Sequence, residues 1–330
     1  VILAGDVGGT STRLAAYEET GGALRAAVEQ TYRSASYASL DDIVAQFVAD
    51  HALHPTHACC GIAGPVHDGT VKTTNLPWFI EGARLARQLE LPRFTLINDL
   101  EAMAWGVAAL GPEDLETLNS GAPGAAGNAA VIAAGTGLGE AGLYWDGTEH
   151  RPFACEGGHV DFAPRDTLEI ELLRYMMRKI GRVSYERLAS GQGLCNIYEY
   201  LCLAAGRRED PAVTEAMRGQ DLAAAISQAA LEHRSPVCVE ALDMLVSIYG
   251  AEAGNVALKF MTYGGLYIGG GIAPKIIGKL HDGTFMRAYR AKGRMQPVVE
   301  AMPVHVIMNP NIGLLGAARR ASRGDQAGQG

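Results

Sequence analysis

A chain that spells the same unit twice (strand, glycine turn, strand, turn, strand) is confined to folds built from two related halves. This chain does so. Residues 1–4 form an apolar run leading into Gly5, Asp6, Val7, Gly8, Gly9 and Thr10. Residues 12–17 and 24–32 follow as strands around a Thr20-Gly21-Gly22 turn, because short apolar runs bounded by glycine pairs make hairpins. The pattern returns later in the chain. Residues 129–134 read as a strand, Gly135-Thr136-Gly137-Leu138-Gly139 as a glycine turn and 141–145 as a strand. Asp146-Gly147 is then a hairpin turn, with 148–153 the third strand. A pseudo-repeat of this kind organises a whole fold.

The 330 residues exceed one comfortable hydrophobic core, which also asks for two lobes. We place the smaller α/β domain at 1–110 plus about 305–330, and the larger at 111–304. The passage between them runs through Gly111-Pro112 and the Gly-, Ala- and Pro-rich stretch 120–127. Within the first, 40–51 has helical periodicity, with Ile43, Val44, Phe47 and Val48 on one stripe. Residues 58–63 and 93–97 read as buried strands, and 100–110 as a helix. In the second, helices are expected at 167–180, 184–188, 196–205, 211–228 and 235–261. A strand at 265–268 leads into Gly269-Gly270-Gly271 and a helix begun by Pro274, a favoured first-turn residue. A late strand at 304–308, a closing helix at 313–320 and a frayed tail at 321–330 complete the reading.

Composition narrows the partners. The 48% hydrophobic fraction and 41 glycines describe a turn-rich α/β protein. No window reaches the ~18 apolar residues of a membrane span. A net charge of −8 argues against nucleic acid and anionic membranes, which are held by clustered Lys and Arg. Arg174, Arg178, Lys179 and Arg182, the densest basic group, read as a solvated helix face. Cys59, Cys60, Cys155, Cys195, Cys202 and Cys238 form no C-x-x-C pair or zinc spacing. With no basic leader ahead of the first strand, free thiols and a cytoplasmic location are expected.

Three glycine turns each follow a strand: Gly8-Gly9-Thr10, Gly135-Thr136-Gly137 and Gly269-Gly270-Gly271. A backbone that approaches phosphate closely lacks Cβ atoms and gathers amides at one point. One such turn alone is more often a plain hairpin; three, two of them heading like units, point to a nucleotide. Thr10 and Thr136 can add hydroxyl donors. Asp6 at its strand end can hold magnesium, directly or through water. Gly137-Leu138-Gly139-Glu140-Ala141-Gly142 matches G-x-G-x-x-G, but a dinucleotide site requires a helix next, and here a strand and hairpin follow. The P-loop pattern is absent too.

Asp99 stands where a buried strand ends and a helix starts, a usual place for ligands in α/β sheets. It reads either as an N-cap or as the carboxylate that takes a proton from a weakly nucleophilic hydroxyl during phosphoryl transfer. Asn98 beside it can both donate and accept. In Glu156-Gly157-Gly158-His159, two glycines let a carboxylate and an imidazole reach one ligand; a zinc role for His159 is the alternative. Glu186 reads equally as a capping-box or surface glutamate.

Taken together these segments resemble the bacterial-type ATP-dependent glucokinases of the hexokinase-like, actin-like superfamily. The resemblance rests on Gly5 to Thr10, Asn98-Asp99, Gly135 to Gly139 and the run EGGHVDFAP from Glu156. It continues through Glu186-Arg187, Ser190-Gly191, the triple glycine and Gly313-Leu314-Leu315-Gly316. It implies a two-lobed, ribonuclease H-like actin fold with a central cleft that closes on sugar. By resemblance, Asp99 is the base toward the sugar 6-hydroxyl, and Asn98, Glu156, His159 and Glu186 bind ring hydroxyls. Gly5, Asp6, Val7, Gly8, Gly9, Thr10, Gly135, Thr136 and Gly137 embrace the phosphates of MgATP, while Gly191 and Gly269 to Gly271 lie toward the nucleoside. The cysteine cluster that follows E-x-G-H in the zinc-bearing relatives is missing, which puts the chain on the other branch. Thr10-Ser11-Thr12-Arg13 departs from relatives that carry Asn or Lys after the Thr. The resemblance also suggests a homodimer. Rival readings are a kinase for mannose, fructose or an amino sugar, and a non-catalytic sugar sensor. A DNA-binding regulator would want a segment ahead of the first strand, where five residues precede Asp6.

Overall fold

The computed structural model describes residues 1–73, 76–122, 124 and 126–323. It divides into two compact units, Val1–Asp114 with Arg151–Ala154 and Asn309–Gly330, and Leu115–His150 with Cys155–Met308.

In the first unit, β1 (Ile2–Val7), β2 (Ser11–Thr20), β3 (Ala23–Arg33), β4 (His57–Ile62) and β7 (Phe94–Asn98) form one sheet in the order β3-β2-β1-β4-β7. A small hairpin, β5 (Thr70–Lys72) with β6 (Phe79–Glu81), lies between β4 and β7 in the chain. The first three strands are antiparallel, and β1, β4 and β7 are parallel. Alternation along β1 sorts the two faces. Leu3 and Val7 join α1 (Leu40–Asp50) through Ile43, Val44 and Phe47. Ile2 and Ala4 join Trp105 of α3 (Asp99–Val107) and Leu314, Ala317 and Ala318 of the last helix, Ile312–Ser322. A further helix, α2 (Gly82–Gln88), precedes β7.

The second unit repeats that scheme. Strands β10 (Leu138–Trp145), β9 (Ala129–Ala134), β12 (Leu266–Gly269), β13 (Val304–Ile307) and β8 (Leu115–Asn119) lie side by side in that order. β9 is antiparallel to β10 and parallel to β12, as β1 is to β2 and β4. Beyond β10 and a tight turn the chain enters β11 (His150–Cys155). Helices α4 (Thr167–Ile180), α5 (Gly191–Leu203), α6 (Pro211–Met217), α7 (Leu222–Leu231) and α8 (Pro236–Phe260) follow. The short α9 (Ile277–His281), α10 (Thr284–Arg290) and α11 (Gln296–Glu300) complete the unit. Helix α8 is its axis, with Leu245, Ile248, Tyr249, Ala253 and Val256 all buried.

Several expectations are corrected. Residues 184–188 make a 3₁₀ turn, Tyr185–Arg187, rather than a helix. Residues 211–228 are two helices, because the chain turns at Arg218 and at Gly219, whose φ is +77°, before Asp221 caps α7. Helix α5 begins at Gly191, not 196, since the Ser190 hydroxyl accepts from the Gly193 amide. The last helix continues through Ser322, with Ala321 buried in the core, so the expected tail begins later. Residues 324–330 of that tail, and Pro123 and Ala125 of the expected 120–127 passage, lie outside the described residues. Strand β8 was not expected. The basic group at 174–182 is a solvated, ion-paired face: Arg174 with Glu171 at 2.7 Å, Lys179 with Glu199 at 2.6 Å and Arg182 with Asp161 at 2.9 Å. All six cysteines are free. No helix among the described residues is long and apolar enough to cross a membrane.

Candidate active site

In the first unit the candidate residues gather where β1 and β7 end. Gly5 and Val7 lie inside β1: a Cβ on Gly5 would sit 2.3 Å from the Cys60 sulfur, and Val7 is 2% exposed. These two positions serve packing, and the open strand end is left to Asp6, Gly8, Gly9 and Thr10. The turn is pinned by the Gly8 amide on the Ser11 carbonyl at 2.9 Å. The Ser34 hydroxyl donates to the Gly8 carbonyl, also at 2.9 Å. Asp6 points to the face covered by the last helix, and its Oδ2 accepts from Arg13 Nη2 at 2.6 Å. Arg13 also donates to the Pro310 carbonyl and to Asn311 Oδ1, fixing Asp6 against the start of that helix. The β1–β2 register sets Asp6 opposite Arg13, so this partner could have been found by folding the hairpin on paper.

Asn98 rather than Asp99 is the N-cap of α3. Its Oδ1 accepts from the Leu100 and Glu101 amides at 2.9 and 3.4 Å, and its Nδ2 donates to the Gly64 carbonyl at 3.2 Å. Asp99 is therefore the first helical residue. Its Oδ1 accepts from the Leu100 amide at 2.9 Å, which orients the carboxylate on the helix N-terminus. The capping alternative thus falls on the neighbour, and Asp99 is left half-buried at the strand end.

In the second unit three sequence-distant segments meet at the end of β9. The Gly135 amide donates to the Gly137 carbonyl at 2.8 Å, closing the Gly135-Thr136-Gly137 turn. The Gly191 amide at the start of α5 donates to the Gly135 carbonyl at 2.9 Å. Gly270 has φ +82°, and a Cβ there would meet the Ala134 carbonyl oxygen at 2.3 Å, so only glycine brings the 269–271 turn against β9. At Gly135 and Gly271 an added Cβ would project into open space, where a ligand can approach.

The polar side chains adjoin this turn. Glu186 Oε2 accepts from the Leu138 amide at 3.2 Å, and a Cβ on Gly137 would lie 2.4 Å from the same oxygen. Glu186 Oε1 is 4.0 Å from His159 Nδ1, and His159 Nε2 is 3.9 Å from Glu156 Oε2. The 3₁₀ turn Gly157–His159 carries the imidazole, with the Arg182 guanidinium donating to the His159 carbonyl at 2.5 Å. Sequence reasoning left Glu186 undecided; the structure shows neither cap nor surface residue but a carboxylate shared between the glycine turn and the histidine. Among the described residues no group of three or more His, Cys, Asp or Glu is placed to hold a metal by itself.

Comparison with known proteins follows the same lines. The glucokinase family model matches residues 3–324. A glucokinase of Trichormus variabilis is 43% identical over 339 residues, covering 98% of this chain and 99% of the relative. A glucokinase of Synechocystis is 42% identical, covering 96% of each. Among solved structures, a glucokinase from an Antarctic psychrotroph aligns with TM-score 0.83 at 28% identity over 98% of both chains. A ROK-family glucokinase from Streptomyces griseus, in complex with glucose and AMPPNP, aligns with TM-score 0.66 at 22% identity over 98% of this chain and 99% of its own, a likeness of fold alone. The architecture is that of the actin-like ATPases. With a family match over nearly the whole length and curated relatives above 40% identity, the chain belongs to the glucokinase family.

Proposed function

We propose that the protein transfers the terminal phosphoryl group of ATP to the 6-hydroxyl of glucose, the entry step of glycolytic glucose use. The observation that carries this reading is Glu186, one carboxylate bonded to the glycine turn through the Leu138 amide and facing His159 on the other side. A phosphate-type turn and a hydroxyl-binding cluster joined by one side chain are what a sugar kinase needs.

Glu156, His159 and Glu186 accept from and donate to the ring hydroxyls, with Asn98 contributing the part of its amide not used in capping. Asp99 takes the proton of the attacking hydroxyl; the Leu100 amide holds the receiving carboxylate in one orientation. The amides of Gly8 and Gly135 close their turns, those of Gly9, Thr10, Thr136 and Gly137 receive the phosphates of ATP, and Gly191 and Gly269 to Gly271 lie toward the nucleoside. Mg²⁺, when bound, neutralises phosphate charge. Asp6 is a lone carboxylate already paired with Arg13, which suits an outer-sphere contact through water to an ion held mainly by phosphate. The reading includes a cytoplasmic homodimer.

A coupled ADP-release assay across glucose, mannose, fructose and glucosamine tests the assignment. Glucose should give the highest kcat/KM of the panel. Negligible turnover of glucose beside brisk turnover of another hexose would replace it with that rival; sugar binding without any turnover would favour the sensor.

A further inference from the structure

Strand β10 carries an acidic residue where alternation calls for an apolar one. Leu138, Glu140 and Gly142 share one face of the strand. Glu140 is 2% exposed, and its Oε1 has no hydrogen-bond partner. The sugar-site turn lies directly on this face. A Cβ on Gly157 would fall 1.8 Å from Glu140 Oε2, and one on Gly158 would fall 1.9 Å from the Leu138 carbonyl oxygen. The Cys155 thiol donates to the Glu140 carbonyl at 3.3 Å, holding the approach to the turn on the same strand.

Glu252 on α8 is fully buried, and its charge acts on Glu140. Two carboxyls can bond only if one carries a proton. Glu252 already accepts from Asn255 Nδ2 at 2.8 Å on one oxygen and Lys259 Nζ at 3.2 Å on the other, so a proton shared by the pair belongs on Glu140. The other ionisable groups around the pair are the Tyr249 phenol on α8, the Tyr185 phenol on Asn255, Cys155, and Lys292, whose Nζ donates to Asn255 Oδ1 at 2.6 Å. Arg165 acts on the network through Lys292.

We propose that Glu140 is a positioning residue for the glucose site: in its acid form, bonded to Glu252, it is the floor on which Gly157–His159 is laid. The proposal rests on the reading that Glu156 and His159 bind sugar. Burial, and next the charge of Glu252, push the Glu140 carboxyl up to about 8. As pH rises through that value two anions come to face each other beneath Gly157, and the turn loses its support.

The test is the pH profile of kcat and of KM for glucose in wild type and Glu140→Gln, whose amide can donate to Glu252 at any pH. If only the supported turn binds sugar, wild-type KM climbs about tenfold by pH 9, as the competent fraction falls, while kcat changes little. Glu140→Gln should keep the neutral-pH KM and lose the climb. The infrared band of a buried protonated carboxyl, present in wild type at pH 7, should be missing from Glu140→Gln. A flat wild-type KM between pH 7 and 9 overturns the proposal, even if the variant does not fold. So does a climb that survives in Glu140→Gln, which would belong to Lys292 or a phenol. Glu156→Ala and His159→Ala separate the two failures. If both leave the neutral-pH KM unchanged, the sugar-site reading falls and takes the proposal with it; if both raise it, only the role of Glu140 is at stake.

Discussion

Single side chains in this protein take their roles from the group that faces them. Asp99 lies beside a cap it does not have to provide, because Asn98 provides it. Asp99→Asn keeps the size of the side chain and removes the proton acceptor, so kcat should fall by about 10²–10⁴ while calorimetry still detects glucose binding. Near-normal turnover would take the base role away from Asp99. Glu140 gives the matching prediction for stability. Its folded carboxyl sits at about 8 against an ordinary 4.5, so its contribution to stability is complete below about 4.5 and is lost as pH rises toward 8. Lys292, lowered to about 8 by burial, stays protonated folded and unfolded below that value, so it adds no slope in the same window. Glu140→Gln should therefore gain in Tm over wild type between pH 5 and 8; parallel Tm curves would contradict a buried acid at this position. Both residues could be read as acidic from the sequence. That Glu140 is buried, beneath a turn that comes seventeen residues later in the chain, was decided by the folded packing.

At the scale of elements, glycines divide into those that make the fold and those that leave room for a ligand. Gly270→Ala forces a side chain into φ +82° and against the Ala134 carbonyl, which should cost about 2 kcal/mol or more in denaturant titrations. Gly271→Ala places its methyl in open space, so stability should stay within about 0.5 kcal/mol. If Gly271 lines the nucleotide site, the same variant raises KM for ATP; unchanged ATP kinetics would remove it from that site. The triple glycine was legible as a motif, yet nothing in three identical letters says which one bears the strain. Element ends behaved similarly. Helix α4 was legible to its last residue because Asp166 caps it, its Glu169 amide donating to that carboxylate, and Gly181 ends it. Residues 184–188 look helical from composition but form a 3₁₀ turn, held where the Tyr185 amide donates to the Val160 carbonyl.

For the molecule as a whole, the chain spells one sheet scheme twice, each copy around its own core. Glucose at about 100 times its Kd should add about 2.7 kcal/mol to stability, read as a rise in Tm that a non-substrate hexose does not give. Sedimentation equilibrium should return twice the 34.9 kDa chain mass; a single monomer species would remove the homodimer from the reading. The sequence by itself determined the pseudo-repeat and the glycine turns, because short strands and tight turns are settled within a few neighbouring residues. Tertiary structure alone decided that Arg13 also reaches Pro310 and Asn311, that Glu186 joins the glycine turn to His159, and that Glu140 is buried beneath Gly157. Those contacts join segments remote in the chain, and burial and Coulomb energy depend on distances that no local pattern encodes.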